Sequence, residues 1–286
     1  WMPVDLYVGG VEHANLHLLY ARFWHKVLYD IGVVSTKEPF KKVVHPGLVL
    51  GSNGEKMSKS RGNVVNPDDI IEKWGADSLR LFEMFLGPID QVKPWQEKNS
   101  IAGVHRFLKR VWRLVIDENG NISSKISDKD DSITFTKALH KTIKKLTVDT
   151  EEMKFNTGIA ALMELVNQAY KETWINTDSV KDLLKLLAPY APHICEELWQ
   201  RLGQKDMISF SPWPSFNPEY TVEDMLIIPI MVNGRKRATI EVAKSMDQKQ
   251  VLDLAKKQDS VIRHLSDKKL VKEIYVNGKI VNLVIK

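Results

Sequence analysis

The feature that most limits the fold lies near the start of the chain. Val4-Asp5-Leu6-Tyr7-Val8 reads as a short strand, Gly9-Gly10 ends it, and a helical pattern follows at once from Glu12 to Trp24. Strand, glycine pair and helix in direct succession form a nucleotide-binding turn in a doubly wound parallel sheet. The glycines let backbone approach a ligand, and the helix start presents unpaired N–H groups. Glu12 would stand in the first turn, where its carboxylate can accept from ribose hydroxyls. A plain turn from strand to helix uses the same residues, so the pair alone leaves both readings open. His13 and His17, four apart, are expected on one helical face. They suit either a half-buried polar pair beside Leu16 and Leu19 or two zinc ligands. Zinc would need Glu12, His25 or His45 as a third ligand, and the order is not the His-Glu-x-x-His of zinc peptidases.

The second feature is the stretch from Asn53 to Pro67, centred on Lys56-Met57-Ser58-Lys59-Ser60. Hydrophobic periodicity vanishes there, which predicts a mobile loop bounded by Gly54 and Gly62. Two ammonium groups, two hydroxyls and glycine freedom suit a multiply charged phosphate, over which such a loop can close as charge builds on a leaving group. A solvated basic turn is the plain alternative. Val43 to Leu50 is expected as one strand leading into the loop. Asn66-Pro67-Asp68-Asp69 reads as a helix start, with Ile70, Ile71 and Trp74 on its apolar face.

From Ile101 to Leu202 the pattern is helical. Phe107, Val111, Leu114 and Val115 mark one helix, 134–148 a second, and the stripe Ile159, Leu162, Met163, Val166, Ala169, Tyr170 a third, capped by Asn156. Asp178 would cap a fourth, and 193–202 is a fifth, closed by Gly203. Arg106, Lys109, Arg110 and Arg113 make a basic helix face. Trp213-Pro214 and Asn217-Pro218 mark a linker. Beyond it, strands over 226–232 and 237–242 are joined by an Asn233-Gly234 hairpin. A helix over 248–258 and strands over 271–276 and 280–285 complete a β-β-α-β-β unit. The whole chain carries a net charge of +5, while 224–286 holds thirteen Lys or Arg against seven Asp or Glu, a local charge of +6. A basic end module points to a polyanion, nucleic acid first. Cys195 is the single cysteine, which excludes an internal disulfide and a multi-cysteine zinc site. The apolar runs are too short for a transmembrane helix.

These motifs together resemble the leucyl-tRNA synthetases among the class I aminoacyl-tRNA synthetases. Lys56-Met57-Ser58-Lys59-Ser60 is similar to their signature loop. Tyr7-Val8-Gly9-Gly10-Val11-Glu12-His13-Ala14, continuing to Phe23, resembles the second half of their catalytic domain. Gly75-Ala76-Asp77-Ser78-Leu79-Arg80-Leu81-Phe82 resembles the segment after the signature loop. Phe155 to Ala160 and Leu187 to Trp199 resemble the anticodon-side bundle. Val232-Asn233-Gly234-Arg235 and Tyr275-Val276-Asn277-Gly278-Lys279 resemble the compact C-terminal module that reaches the tRNA elbow.

The resemblance implies a multidomain α/β plus α architecture. Residues 1–100 would be the second half of a Rossmann-type catalytic domain, 101–210 an all-α anticodon-side bundle, and 224–286 a small basic tRNA-contacting domain. It implies that Gly9 and Gly10 face adenosine, that Glu12 binds its ribose with His13 beside it, that His45 and Gly47 lie near adenine, and that His17 lines the leucine pocket. Lys56 and Lys59 would be catalytic, with Met57, Ser58 and Ser60 completing the ATP site. ATP would come with Mg²⁺, and the chain would hold no structural metal of its own. Arg106, Lys109, Arg110, Arg113, Arg235, Lys236, Arg237 and Lys279 are the tRNA-contact candidates. One departure stands out: the His-Ile-Gly-His-type sequence of the first catalytic half and the editing insertion are absent. Half a parallel sheet exposes an edge and an apolar interface. The chain therefore resembles the β subunit of the two-chain form of these enzymes, a cytoplasmic protein expected to work with an α subunit, tRNA(Leu), leucine and ATP and without a membrane. A non-catalytic tRNA-binding module and a fragment of a single-chain synthetase are the alternatives.

Overall fold

In a computed structural model of the chain, Tyr7–Val8 (β1) pairs in parallel with Val43–Val44 (β2), Tyr7 opposite Val43 and Val8 opposite Val44. The structure describes residues 1–95, 97–222, 225–244, 246–265 and 269–286, with 97–100 and 225 described by backbone alone. By packing, the chain divides into two units, Trp1–Tyr220 and Thr221–Lys286.

Between β1 and β2 the chain makes a 3-10 turn, Val11–Asn15, and then the helix α1, His17–Asp30. The single helix expected from Glu12 is thus two pieces. Leu16 leaves helical geometry, with φ −125° and ψ −77°, so His13 and His17 do not share one α-helical face. The expected strand over 43–50 is also broken. Pro46 has no N–H to give a ladder, and Gly47 turns its N–H to the Ile89 carbonyl at 2.7 Å. The chain resumes as Val49–Leu50 (β3), parallel to Lys93–Pro94 (β4). Gly47 has no room for a side chain, since a Cβ there would fall 2.1 Å from the Gln91 carbonyl oxygen.

Helix α2, Pro67–Trp74, starts as its sequence predicts, with Pro67 in the first turn and the Asn66 side chain accepting from the Asp68 N–H at 3.2 Å. There follow α3 (Ala76–Phe85), α4 (Glu97–Val115), α5 (Ile133–Glu151), α6 (Phe155–Lys171), α7 (Thr177–Leu187) and α8 (Pro192–Arg201). Ile126–Ser127 (β5) and Ile175–Asn176 (β6) pair in parallel at one edge of this bundle. One core runs through these helices from Ile70 to Ile208, with Leu81, Ile101, Val111, Ile143, Leu162 and Leu184 among its most enclosed members. Two caps differ from expectation. Lys154, not Asn156, precedes α6, and Asn176, not Asp178, caps α7 by accepting from the Asp178 N–H at 2.8 Å. Each N-cap position lies outside the helix with extended or irregular backbone, whereas Asn156 and Asp178 fall inside the first turn. Buried Asp77 of α3 accepts from the His193 and Ile194 N–H groups, satisfying the free start of α8 from another helix.

The one-turn helix α9, Pro218–Thr221, bridges to the second unit. There Met225–Val232 (β7) and Arg235–Ala243 (β8) form a hairpin whose turn residues both have positive φ, 48° at Asn233 and 76° at Gly234. Gln248–Lys256 (α10) and Asp259–Leu265 (α11) precede Leu270–Val276 (β9) and Ile280–Ile285 (β10). The sheet order is β8-β7-β10-β9, with β10 parallel to β7 and antiparallel to β9. Val251, Leu252, Ala255 and Val261 from the helices cover Ile228, Ile230, Val281 and Leu283 on one sheet face. The expected β-β-α-β-β order is therefore corrected to β-β-α-α-β-β. The helix stops because the Gln258 carbonyl takes the N–H groups of Val261 and Ile262, at 2.8 and 2.9 Å, and starts a new helix that sends Val261 into the core. Asp224, the expected domain start, lies outside the described residues.

Candidate functional site

The β1–α1 turn gathers several of the candidate residues. The Gly9 N–H donates to the Val44 carbonyl at 3.1 Å, and the Gly9 carbonyl accepts from His45 Nδ1 at 2.8 Å. A carbonyl can only accept, so His45 Nδ1 carries the proton of this hydrogen bond. The Glu12 carboxylate lies 3.9 Å from His13 Nε2, with both side chains just over half exposed. His17 stacks on Tyr7, 5.5 Å between ring centroids, and meets His13 edge-on at 6.5 Å. Gly9, Gly10, Glu12, His13, His17 and His45 thus line one open corner. Neither glycine of the pair has positive φ, and a Cβ at Gly10 would meet only the tip of the exposed Glu12 side chain, which can swing aside.

The Lys56–Ser60 loop has more structure than its lack of periodicity suggests. Leu50 bridges Lys56, and Lys59–Arg61 is a 3-10 turn closed by Gly62 at φ 63°. Asn63 is the brace. Its Oδ1 accepts from the Ser58 N–H at 2.9 Å and its Nδ2 donates to the Lys56 carbonyl at 3.3 Å. Ser58 and Ser60 share a hydroxyl hydrogen bond at 3.2 Å, and Arg61 pairs with Glu55 at 3.1 Å. Met57 packs against the helical core and so anchors the middle of the loop. The Lys56 and Lys59 side chains are exposed, and their ammonium groups have no hydrogen-bond or ion-pair partner among the described residues. The backbone of the loop is thus braced while its two ammonium groups keep their hydrogen-bonding capacity unused among the described residues. Asn63 was not singled out from sequence; an Asn just past the Gly62 stop was the available signal.

The basic candidates are distributed. Arg106, Lys109 and Arg113 are exposed on α4 at a spacing that puts them on one side of the helix. Arg110 is turned to other use: its guanidinium donates to Asn167 Oδ1 at 2.6 Å and lies 4.7 Å from the Tyr170 ring centre, joining α4 to α6. In the second unit Arg235, Lys236, Arg237 and Lys279 are all exposed. Arg237 is the extra residue where the register between β7 and β8 shifts. β10 runs parallel to β7 with Val281 opposite Ile230, so Lys279 lies beside Ile228, while Arg235 pairs with Val232, about 13 Å further along β7. The structure therefore sets Lys279 apart from the hairpin cations along the sheet.

Around α1 the polar ties are strong. Glu38 accepts from Arg22 twice, at 2.8 Å each, and from Lys26 at 2.9 Å, and those hydrogen bonds hold its carboxyl down to about 2. His25 Nε2 bonds the Thr36 carbonyl at 2.8 Å. Among the described residues, no group of three or more His, Cys, Asp and Glu side chains is placed to hold a metal ion, and no helix is long and apolar enough to cross a membrane.

Two family descriptions match the sequence: "tRNA synthetases class I (I, L, M and V)" over residues 2–93 and "Anticodon-binding domain of tRNA ligase" over 134–252. Leucine–tRNA ligases of Chlorobaculum tepidum and Chlorobium chlorochromatii are 52% and 51% identical over all 286 residues. The chain spans about a third of their length, 35% of each. A crystal structure of an Agrobacterium radiobacter K84 LeuRS in ternary complex with tRNA and LeuAMS matches 99% of this chain and 38% of its own, with TM-score 0.74 and 32% identity. Mycobacterium tuberculosis methionyl-tRNA synthetase, solved with methionyl-adenylate, matches 71% of this chain and 45% of its own at TM-score 0.54; at 18% identity it shows a shared fold alone. With half its residues identical along its entire length, this chain belongs with the leucine–tRNA ligases among the class I tRNA synthetases and corresponds to their C-terminal third.

Proposed function

We propose that this chain is the C-terminal part of a leucine–tRNA ligase and supplies the signature loop and the tRNA-contacting domains to ATP-dependent charging of tRNA(Leu). The observation that carries the reading is the Lys56–Ser60 loop, with its backbone braced by Asn63 and both lysines unpaired. In the reaction the leucine carboxylate attacks the α-phosphate of ATP, forming leucyl-adenylate, and pyrophosphate leaves. Lys56 and Lys59 neutralise the charge that grows on the departing phosphates, with the magnesium that accompanies ATP. The corner formed by Gly9, Gly10, Glu12 and His45 receives adenosine, Glu12 accepting from the ribose. His17, stacked on Tyr7, lies where it can bound the leucine side chain. The adenylate then passes its leucyl group to the tRNA 3′ end. Arg106, Lys109 and Arg113 on α4 and the cations of the second unit hold the tRNA backbone, which positions the acceptor without specifying sequence.

The catalytic corner is open on one side. Leu16, Leu19, Tyr20, Phe23 and Trp24 form an apolar stripe along α1 that is between 58% and 67% exposed. A stripe at helical spacing is built to be covered. Its cover in this reading is the first half of the catalytic sheet, bearing the His-Ile-Gly-His-type motif; in the two-chain arrangement that half is an α subunit. A cytoplasmic location is part of this reading. The test is leucine-dependent ATP–pyrophosphate exchange. The chain alone should show none above a blank, and adding the complementing half should restore it. Exchange by the chain alone would refute the shared-site reading. Co-purification from native extract identifies whether the complement is a separate polypeptide.

A further inference from the structure

The connection between the two units is strapped to the bundle, and a histidine holds its far end. Trp213 Nε1 donates to Thr147 Oγ1 at 2.9 Å, and the Lys144 ammonium lies 5.8 Å from the Phe216 ring centre. The next contacts belong to His140, half-buried on α5. Its Nδ1 accepts the Asn217 backbone N–H at 3.1 Å, and Tyr220 stacks on its ring at 5.1 Å with 27° between the planes. Tyr220 is the last residue of the first unit, and β7 begins at Met225, so these contacts sit at the root of the second unit.

An N–H aimed at Nδ1 requires that nitrogen to be unprotonated, so His140 is neutral with its proton on Nε2. Protonation would set a second N–H against that of Asn217. The hydrogen bond would be lost and two donors would oppose each other. We propose that His140 is a positioning residue, a proton-sensitive latch that ties the connection to α5 and thereby fixes where the second unit is tethered when tRNA binds. The positioning part rests on the tRNA reading above; the latch itself does not.

The surrounding charges are few. Helix α7, packed on α5, brings Asp182, which is paired with Lys185 at 3.1 Å. His140's own helix carries Lys137, Lys141 and Lys144, and the connection brings Glu219 and Tyr220. Burial outweighs the attraction of Asp182 and holds the ring below the ordinary histidine value. The neutral form is therefore favoured in the latched state. Latching is complete above the ordinary value of about 6.5 and is lost as pH falls through the latched ring's lower value.

The test uses the assembled synthetase, as wild type, His140→Asn and His140→Ala, at about pH 7.5 and about pH 5.5. It reads amide hydrogen exchange at Asn217 and affinity for tRNA. An asparagine Oδ1 can take the place of Nδ1 and accepts at either pH. Wild type should lose protection at Asn217 and roughly fivefold in tRNA affinity on acidification. His140→Asn should keep Asn217 protected at both pH values and lose less affinity than wild type. His140→Ala should be unprotected and weak in both conditions. Slow exchange at Asn217 in His140→Ala, or acidification changing His140→Asn as it changes wild type, would overturn the latch. Wild-type tRNA affinity in His140→Ala would overturn the positioning role. If wild type binds no tRNA, the tRNA reading has failed, and exchange at Asn217 still decides the latch.

Discussion

Helices α1 and α6 carry the same kind of sequence and meet opposite fates. On α1, Leu19, Tyr20, Phe23 and Trp24 recur at helical spacing and stand exposed beside Leu16 at the N-cap; His25 is the helix's one buried residue. On α6, Ile159, Leu162, Val166 and Ala169 recur at the same spacing and are 0% exposed. Helix α6 finds α3, α4, α5 and α7 within the chain, whereas α1 is tied down by polar contacts, Glu38 to Arg22 and Lys26 and His25 to Thr36. Exposed ion pairs of that kind contribute little to stability and much to orientation. The bundle is thus a folded support complete in itself. In the proposed reading, the 1–50 region is one face of a site whose apolar side is covered by the complementing half.

The contrast can be broken or sharpened. The largest effect is expected from Phe23→Asp. A charge in the middle of the α1 stripe should abolish pyrophosphate exchange in the assembled enzyme by preventing docking, yet change the unfolding free energy of the isolated chain by less than about 0.5 kcal/mol. If the isolated chain is instead destabilised by several kcal/mol, the stripe is covered within the chain and the contrast fails. Leu162→Ala is the matching change in α6. It should cost about 3 kcal/mol in urea unfolding of the isolated chain, because a wholly enclosed side chain leaves a cavity. A cost near zero would show that the bundle core is not complete within the chain.

Lys56→Ala and Lys59→Ala should each lower the activation rate of the assembled enzyme about a hundredfold while barely changing leucine affinity, since their partner charge develops in the transition state. Equal losses of rate and affinity would make the loop a structural element. The smallest effect belongs to the second unit. Ending the chain at Tyr220 should spare pyrophosphate exchange and make the salt dependence of tRNA binding shallower by about two to three units of slope, for the loss of a few phosphate contacts. An unchanged slope together with lost exchange would turn the unit into a prop for the catalytic half.

Much of this was legible in the residues. Periodicity placed the helices of the bundle, Asn66-Pro67 marked the start of α2, and Asn233-Gly234 demanded the hairpin it forms, because only residues at ease with positive φ can make that turn. The β1–Gly9-Gly10–α1 order gave the parallel pairing of β1 with β2. The errors came where neighbours decided. Asn176 and Asp178 are both good caps by composition, and packing of β6 against β5 chose Asn176. The helix over 248–258 was cut short by the Gln258 carbonyl. Pro46 and Gly47 split a strand because Ile89 and Gln91 pass alongside.

The sequence by itself determined the family, the two ammonium groups and two hydroxyls gathered in the Lys56–Ser60 loop and which helices are amphipathic, since these depend on residue identity and on spacing along one chain. Tertiary structure alone decided which stripes are covered, that Arg110 serves packing while Arg106, Lys109 and Arg113 stay free to meet an anion, and that Lys279 stands apart from the hairpin cations of the second unit. It also brought Asn63 to the loop, Asp77 to the start of α8 and His140 to the connection. Each of those contacts joins a donor to an acceptor, and what matters to such a bond is the last few ångströms between the groups. Residues 77 and 193, or 140 and 217, are far apart in sequence, and only the fold sets that distance.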